Sequence, residues 1–116
     1  MSEESVINIT KSQSGPAIIL NVSGKIDALT APEFKKKIAA AVAQNPKVIC
    51  NLEKVHYISS AGVGALIENK NNASKMGGDV YLSNLNIDIK KVFDLLGFSN
   101  FFKIYKNPQE AIKKFS

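Results

Sequence analysis

The chain has 116 residues, 45% of them hydrophobic, and a formal net charge of +5 at pH 7. A chain of this length buries roughly two-thirds of its surface around one core, so we expect one domain over residues 1–116 with a core from about 5 to 115. All 15 basic residues are lysines, spread mostly over separate elements. Base-edge and bidentate phosphate contacts favour arginine, so direct binding to nucleic acid is disfavoured.

The sequence also argues against membrane, metal and enzymatic chemistry. Residues 1–4 are acidic where a signal peptide is basic, and no apolar run approaches the ~20 residues that span a bilayer, so we expect a cytoplasmic protein without membrane contact. The single cysteine, Cys50, lies in an apolar strand pattern and excludes an internal disulfide. The single histidine, His56, lacks a partner for zinc and an acid to orient it toward Ser59. We predict a non-enzymatic protein without a cofactor.

The first strands are predicted to form a hairpin. Residues 5–10 alternate between apolar and polar side chains, and residues 17–22 form a stronger apolar run. Residues 12–16 between them supply turn chemistry through serine, glycine and proline. Gly24 then breaks the strand pattern, and an acid, Asp27, follows a few residues on.

An amphipathic helix follows the hairpin. Thr30, with Glu33 three residues later, has the spacing of a capping box, and Pro32 is tolerated in a first turn. One stripe of the helix is apolar with lysines opposite, which predicts a helix that packs through one face and ends at Asn45-Pro46. The stripe consists of Phe34, Ile38, Ala41 and Val42.

Three further strands alternate with helices. The predicted strands span residues 47–52, 79–83 and 101–105, and residues 53–56 connect the first of them to the next helix. Strands that alternate with helices need crossover connections. The pattern therefore predicts an α/β fold with a mixed, mostly parallel sheet of four to five strands and about four helices.

The remaining helices have recognisable ends. The helix after residues 53–56 stops at Gly77-Gly78, a glycine C-terminal signal. The next helix has Asn86 as its cap and Gly97 at its end. A short terminal helix begins at Asn107-Pro108. The apolar positions of the last two helices are Ile89, Val92, Phe93, Leu96, Ala111, Ile112 and Phe115.

Two serines, Ser59 and Ser60, stand where an apolar strand stops and a helix starts. A helix N-terminus presents unpaired N–H groups and roughly half a positive charge, so it accepts a serine cap or an anion. Gly62 and Gly64 each cost up to about 1 kcal/mol relative to alanine inside a helix. They keep the first turn bare, which lets another surface or a phosphate approach. The residues themselves leave both a simple cap and a binding site open.

From about Val6 to Phe115 the chain resembles the STAS domain of bacterial anti-sigma factor antagonists. Four stretches carry the resemblance: Gly24-Lys25-Ile26-Asp27 with Thr30-Ala31-Pro32, Leu52 to Ile58, Ser60-Ala61-Gly62-Val63-Gly64, and Gly77-Gly78 with Val92-Phe93-Asp94-Leu95-Leu96-Gly97. The resemblance implies a partner-switching protein. Its unphosphorylated form binds an anti-sigma factor that is also a serine kinase and thereby frees a sigma factor, and a PP2C-type phosphatase reverses the phosphorylation. We expect a monomer or weak dimer.

The resemblance also implies site residues by position. The modified serine falls on Ser60, with Ser59 as the alternative. Ser59 stands where the family has an aspartate, and Ala61 stands where it has a serine or threonine. Asp27 matches the acid that lies close to the modified serine in the family. The implied partner-binding residues are Asp27, Ser59, Ser60, Ala61, Gly62, Val63 and Gly64.

Two other functions stay open at the level of sequence. A nucleotide-binding domain could use Gly62-Val63-Gly64, although Ile67 stands where a dinucleotide fingerprint has its third glycine. A STAS scaffold or phosphorylated partner in a pathway without a sigma factor, such as secretion or motility, would carry the same serine. Fold does not decide between pathways.

Overall fold

The computed structural model describes residues 6–115. In chain order the elements are β1 (Ile7–Ser14), β2 (Ala17–Ile26), α1 (Ala31–Gln44), β3 (Lys47–Ile58), α2 (Ser60–Lys75), β4 (Asp79–Ser83), α3 (Ile87–Leu96), β5 (Ile104–Tyr105) and α4 (Pro108–Phe115). The strands form one sheet in the order β1-β2-β3-β4-β5. Only β1 is antiparallel to its neighbour, and the other pairs are parallel. The predicted mixed, mostly parallel sheet with four helices is confirmed.

The sheet has a different cover on each face. Side chains alternate along the strands, so Leu20 of β2 and Cys50 of β3 lie in the main core with α1, α2 and α3. Ile19 and Ile49 point the other way and pack with Ala111 of α4. The predicted apolar stripe of α1 is buried in the main core. Three helices therefore cover one face, and the short α4 covers part of the other.

The N-terminal hairpin is tighter than predicted. Residues 12–14, assigned to a turn, continue β1 and pair with β2 as far as Ser14 opposite Ala17. Only Gly15-Pro16 remains as the turn, and Gly15 has a φ of +56° that suits glycine. Residues 11–13 of β1 are exposed and carry polar side chains, which are also typical of a turn. The sequence therefore did not reveal that the strand continues through them. Ser5, predicted as the first strand residue, lies outside the described residues.

β2 and β3 are both longer than predicted. The expected break at Gly24 is only an irregularity in β2, where φ is +106° and an added Cβ would lie 2.3 Å from the Val6 carbonyl oxygen. Residues 53–56, predicted as a connection, lie within β3, where Lys54 and Val55 pair with Ser23 and Gly24 in the extension of β2. Val55 and Ile58 of this extension are buried. The long pair of strands carries the chain directly to the serines.

Three smaller predictions need correction. Thr30 stands before α1, but its side chain makes no cap hydrogen bond, so the capping box is absent. The predicted strand 101–105 is reduced to Ile104–Tyr105, because Phe102 turns into the main core. Leu96 is 41% exposed instead of lying on the buried face of α3. Asn86 does cap α3 by accepting from the N–H of Ile89 at 2.9 Å, as predicted.

Candidate functional site

The two serines have different environments at the start of α2. The Ser59 hydroxyl accepts a hydrogen bond from the Gly62 N–H at 3.4 Å, and the Ser59 N–H donates to the Ile26 carbonyl at 2.8 Å. Ser59 is therefore the cap and is half-buried, whereas Ser60 is exposed. The N–H groups of Ser60 and Ala61 belong to the first helical turn and lack intrahelical acceptors. The corner presents one hydroxyl, on Ser60, beside a partial positive charge.

The two glycines of this turn, Gly62 and Gly64, also differ in exposure. Gly62 is buried, and a Cβ on it would lie 2.6 Å from Cγ2 of Ile26 and 2.7 Å from Cγ1 of Ile58. Gly62 thus allows α2 to pack against the ends of β2 and β3. Gly64 is exposed, and a Cβ on it would have no atom within 4 Å. Only Gly64 keeps the outer surface of the turn bare.

Asp27 organises the turn that precedes α1. Its Oδ1 accepts from the N–H groups of Leu29 at 2.9 Å and Thr30 at 3.1 Å. The Thr30 hydroxyl accepts from the Asp27 N–H at 2.9 Å and donates to the Lys25 carbonyl at 2.7 Å. The Ser59 to Ile26 hydrogen bond holds this turn against the serine corner. The structure therefore brings Asp27, predicted to lie near the modified serine, into the segment next to the corner.

An apolar groove adjoins the corner between α1 and α2. It has a volume of about 500 Å³, and small side chains form most of its wall. Lys35 and Glu68 stand on its rim as an exposed ion pair with 2.7 Å between Nζ and Oε2. The adjacent Leu29 is 81% exposed. The apolar lining residues are Ala28, Ala31, Pro32, Ala61, Gly64 and Ala65.

Leu29 is an exposed residue that no motif in the sequence singled out. It lies outside the apolar stripe of α1, in a turn between Asp27 and Thr30. A large apolar side chain in a turn was the feature of the sequence that could have identified it. Leu29 directly follows Ala28, which lines the groove, and its side chain is exposed to solvent.

The other reactive side chains do not join the corner. Cys50 is completely buried, and burial raises its pKa to about 12, so its thiol is packed and inert, as its strand pattern predicted. His56 is exposed on β3. No group of three metal-binding side chains occurs within residues 6–115. In the same part of the chain, no helix has the length and apolarity to cross a membrane.

A larger cavity of about 950 Å³ lies at the ends of β4 and β5. Its wall carries both signs of charge, from Glu53 and Asp94 and from Lys90 and Lys106. It shares no lining residue with the serine corner or the apolar groove. We therefore place the candidate functional site at the corner, where the accessible hydroxyl and the helix N-terminus coincide, and not at this larger cavity.

Comparison with known proteins gives consistent relatives. The family model of the STAS domain matches residues 8–111. The anti-sigma-B factor antagonist of Bacillus subtilis is 29% identical over 107 residues, which make up 92% of this chain and 98% of that protein. An anti-sigma factor antagonist from Mycobacterium paratuberculosis has a TM-score of 0.87 and 23% identity, with 99% of this chain and 98% of that chain covered. The phosphorylated form of Bacillus SpoIIAA has a TM-score of 0.71 and 20% identity, with 94% and 100% covered.

Proposed function

Because the chain belongs to the STAS domain family, we propose that it is an anti-sigma factor antagonist controlled by phosphorylation. Unphosphorylated, it binds an anti-sigma factor that is also a serine kinase, and a sigma factor is released. The observation that carries this proposal is the exposed Ser60 at the N-terminus of a 16-residue helix, beside an apolar surface. The Bacillus subtilis relative is named as an anti-sigma factor antagonist, and SpoIIAA has a phosphorylated form.

Ser60 is the proposed phosphorylation site, in preference to Ser59. The Ser59 hydroxyl already serves α2 as its cap and is half-buried. A phosphate on Ser59 would replace that cap, whereas a phosphate on Ser60 would extend into solvent next to the free N–H groups of the first turn. The proposed partner surface comprises Asp27, Ser59, Ser60, Ala61, Gly62, Val63 and Gly64. Gly62 and the buried Val63 act there by packing α2, and the exposed residues by contact.

The proposed switch works through charge and needs little refolding. A phosphate adds about −1.5 to −2 charges at neutral pH. At a helix N-terminus this charge is favourable by about 0.3–1 kcal/mol, so the fold is retained. At an interface the same charge must lose water, and a hundredfold loss of affinity needs only about 2.7 kcal/mol. A PP2C-type phosphatase would restore the binding form.

In this function the chain supplies the acceptor serine and the kinase supplies the catalysis. We propose that the chain has no enzymatic activity and no cofactor and makes no direct contact with nucleic acid or membrane. We also propose that it is a monomer or weak dimer in the cytoplasm.

The nucleotide-binding alternative is disfavoured by geometry. Gly62 and Gly64 lie inside α2, and Val63 between them is buried, whereas a phosphate-binding glycine loop precedes its helix.

Phosphorylation mapping tests the proposed site. The purified protein is incubated with the anti-sigma serine kinase of the same organism and ATP, and phosphate is located by mass spectrometry. We expect one phosphate on Ser60, retained in Ser59→Ala and lost in Ser60→Ala. Phosphate on Ser59 instead would reject the site assignment. If the chain accepts no phosphate and binds no such kinase, the proposed function is wrong.

Binding measurements test the switch itself. We expect Ser60→Asp to weaken binding to the kinase about a hundredfold in calorimetric titration, because the new charge lies at the interface. Ser60→Ala should bind within a few-fold of the parent and serves as the matched control. A pull-down then identifies the pathway, since a kinase that holds no sigma factor would indicate a STAS module of another signalling system. Equal affinity of Ser60→Asp and the parent would exclude the switch.

A further inference from the structure

The end of β4 carries two side-chain oxygen atoms that are buried and lack a hydrogen-bond partner. They are Ser83 Oγ and Asn84 Oδ1, and no other buried side-chain nitrogen or oxygen within residues 6–115 is unpaired. Asn84 is also the only non-glycine residue of that range with a positive φ, at +58°. An unpaired buried acceptor and a left-handed backbone each cost stability, and both occur preferentially at functional sites. The packing of the fold therefore does not explain Asn84.

Asn84 stands in the wall of the cavity of about 950 Å³ at the ends of β4 and β5. Its backbone is held in place, because its N–H donates to the Tyr105 carbonyl at 3.1 Å. Asn86 is held in the same wall, since its Nδ2 donates to the Val55 carbonyl at 2.9 Å and its Oδ1 caps α3. The χ2 torsion of asparagine is soft, so Asn84 Oδ1 can turn toward a donor that enters the cavity. The volume is that of a typical small-molecule site.

Charges of both signs face this cavity without neutralising each other. Glu53 lines it from β3, Lys90 from α3 and Lys106 from the segment after β5, and none of the three forms an ion pair within the described residues. Asp94, the remaining charged residue of the wall, accepts from the Ser99 hydroxyl.

The unpaired charges are arranged by sign. Glu53 and Asn84 also line a second cavity of about 420 Å³, which neither Lys90 nor Lys106 reaches. The acceptors are therefore neighbours on one side of the larger cavity, and the two ammonium groups lie away from them. Such a wall is complementary to a ligand that carries both charges, because a simple anion or a simple amine would leave the opposite side without a counterion.

We propose that this cavity binds a small zwitterion, an α-amino acid with an apolar side chain. Its ammonium group donates to the Glu53 carboxylate and to Asn84 Oδ1, and its carboxylate accepts from Lys90 and Lys106. The apolar part of the wall, which receives the side chain, comprises Leu85, Phe102 and Ile104.

The ligand is tested on the parent protein alone, so the result does not depend on the function proposed above. L-leucine and L-phenylalanine are each titrated to about 10 mM into isotope-labelled protein, and the backbone amide resonances are followed by NMR. We expect saturable shifts at residues 84–86 and 104–106 with at least one of them. Absence of these shifts with both amino acids overturns the inference.

Analogues with one charge test the class of ligand. Isoamylamine and phenethylamine lack the carboxylate of the two amino acids, and isocaproate and hydrocinnamate lack the ammonium group. Each should bind at least about tenfold more weakly than the amino acid from which it differs. An analogue that binds as tightly as its amino acid shows a site for a simple anion or amine and also overturns the inference.

Two variants locate the site, and a third serves as the control. Asn84→Gly removes the unpaired amide and suits a positive φ, so it should fold and melt within a few degrees of the parent. We expect Asn84→Gly and Lys106→Gln each to bind at least about fivefold more weakly than the parent. Lys37→Gln makes the same charge change on exposed α1, outside the cavity, and should bind like the parent. The inference is wrong if either site variant, when folded, binds as tightly as Lys37→Gln.

Discussion

Ser59 and Ser60 are adjacent, but only one of them remains available for chemistry, because the hydroxyl of the other caps α2. The same separation of tasks holds for Gly62 and Gly64, where one residue faces the core and the other faces solvent. A helix turns by 100° per residue, so neighbouring positions at its N-terminus meet different surroundings. The first turn of α2 thereby fixes its own packing through Ser59 and Gly62 and leaves Ser60 and Gly64 exposed to solvent.

Alanine at the two glycines should have opposite effects on stability. In Gly62→Ala the new methyl group overlaps buried atoms of Ile26 and Ile58, and overpacking of this kind costs about 1–3 kcal/mol before a gain of up to about 1 kcal/mol from helix propensity. We expect a net loss of up to about 2 kcal/mol for Gly62→Ala and a gain of up to about 1 kcal/mol for Gly64→Ala, measured by urea unfolding. Equal stabilities would show that the packing at Gly62 is looser than described.

At the scale of elements, local signals predicted the helices better than the strand ends. The stripe of α1 repeats every turn, so the sequence alone identified it. The end of β3 could not be identified, because Glu53, Lys54 and His56 are exposed and resemble loop residues. They are strand only because β2 extends beside them, which is a long-range pairing. At Phe101 and Phe102 the opposite error occurred, because a strand was predicted where none forms. Their β propensity favours a strand, but Phe102 packs in the core instead.

The contact between α2 and β4 includes an ion pair that the sequence did not reveal. Lys70 Nζ lies 2.5 Å from Asp79 Oδ1, and the two side chains are only 11% and 17% exposed. Asp79→Asn removes the countercharge and leaves the Lys70 ammonium with little water, which should cost about 1–3 kcal/mol. A double-mutant cycle with Lys70→Met measures the coupling, which we expect at about 1–2 kcal/mol.

The exposed pair Lys35–Glu68 provides the control for this cycle. Its Nζ to Oε2 distance is a similar 2.7 Å, but its side chains are 49% and 54% exposed. Water screens such pairs, so the coupling from Lys35→Met and Glu68→Gln should lie near 0–0.5 kcal/mol. The two cycles compare lysine–carboxylate ion pairs that differ in how deeply they are buried. If they give equal coupling energies, burial does not set the strength of the Lys70–Asp79 contact.

At the scale of the whole molecule, the proposed partner surface is assembled from segments far apart in sequence. The turn at residues 27–30 follows β2, and the serines follow β3, and the parallel pairing of these strands places both at the same end of the sheet. The strand-to-helix switch is local, so the sequence could place Ser60 at a helix start. The different roles of Gly62 and Gly64 depend on what lies opposite each of them, and only the folded chain shows that.

Burial of titratable side chains makes stability depend on pH in the alkaline range. Burial raises the pKa of the Cys50 thiol from 9.0 to about 12, so between these values the unfolded chain has lost a proton that the folded chain still holds. Unfolding then releases a proton, and stability falls by up to about 1.4 kcal/mol per pH unit. Burial raises the pKa of Tyr81 and of Tyr105 as well, with the nearby Asp79 carboxylate contributing, and this loss has the same sign.

Replacement of the thiol isolates its share of this pH dependence. Cys50→Ala should be less stable than the parent at pH 7, because it leaves a small cavity in the core. The variant cannot lose a thiol proton, so the stability difference should shrink by about 2 kcal/mol between pH 7 and pH 10.5, mostly above pH 9. Urea unfolding under reducing conditions at pH 7, 9 and 10.5 measures the difference, and the tyrosines contribute equally to both proteins. A difference that stays constant with pH would mean that the core admits water to Cys50 and that its thiol titrates normally in the folded protein.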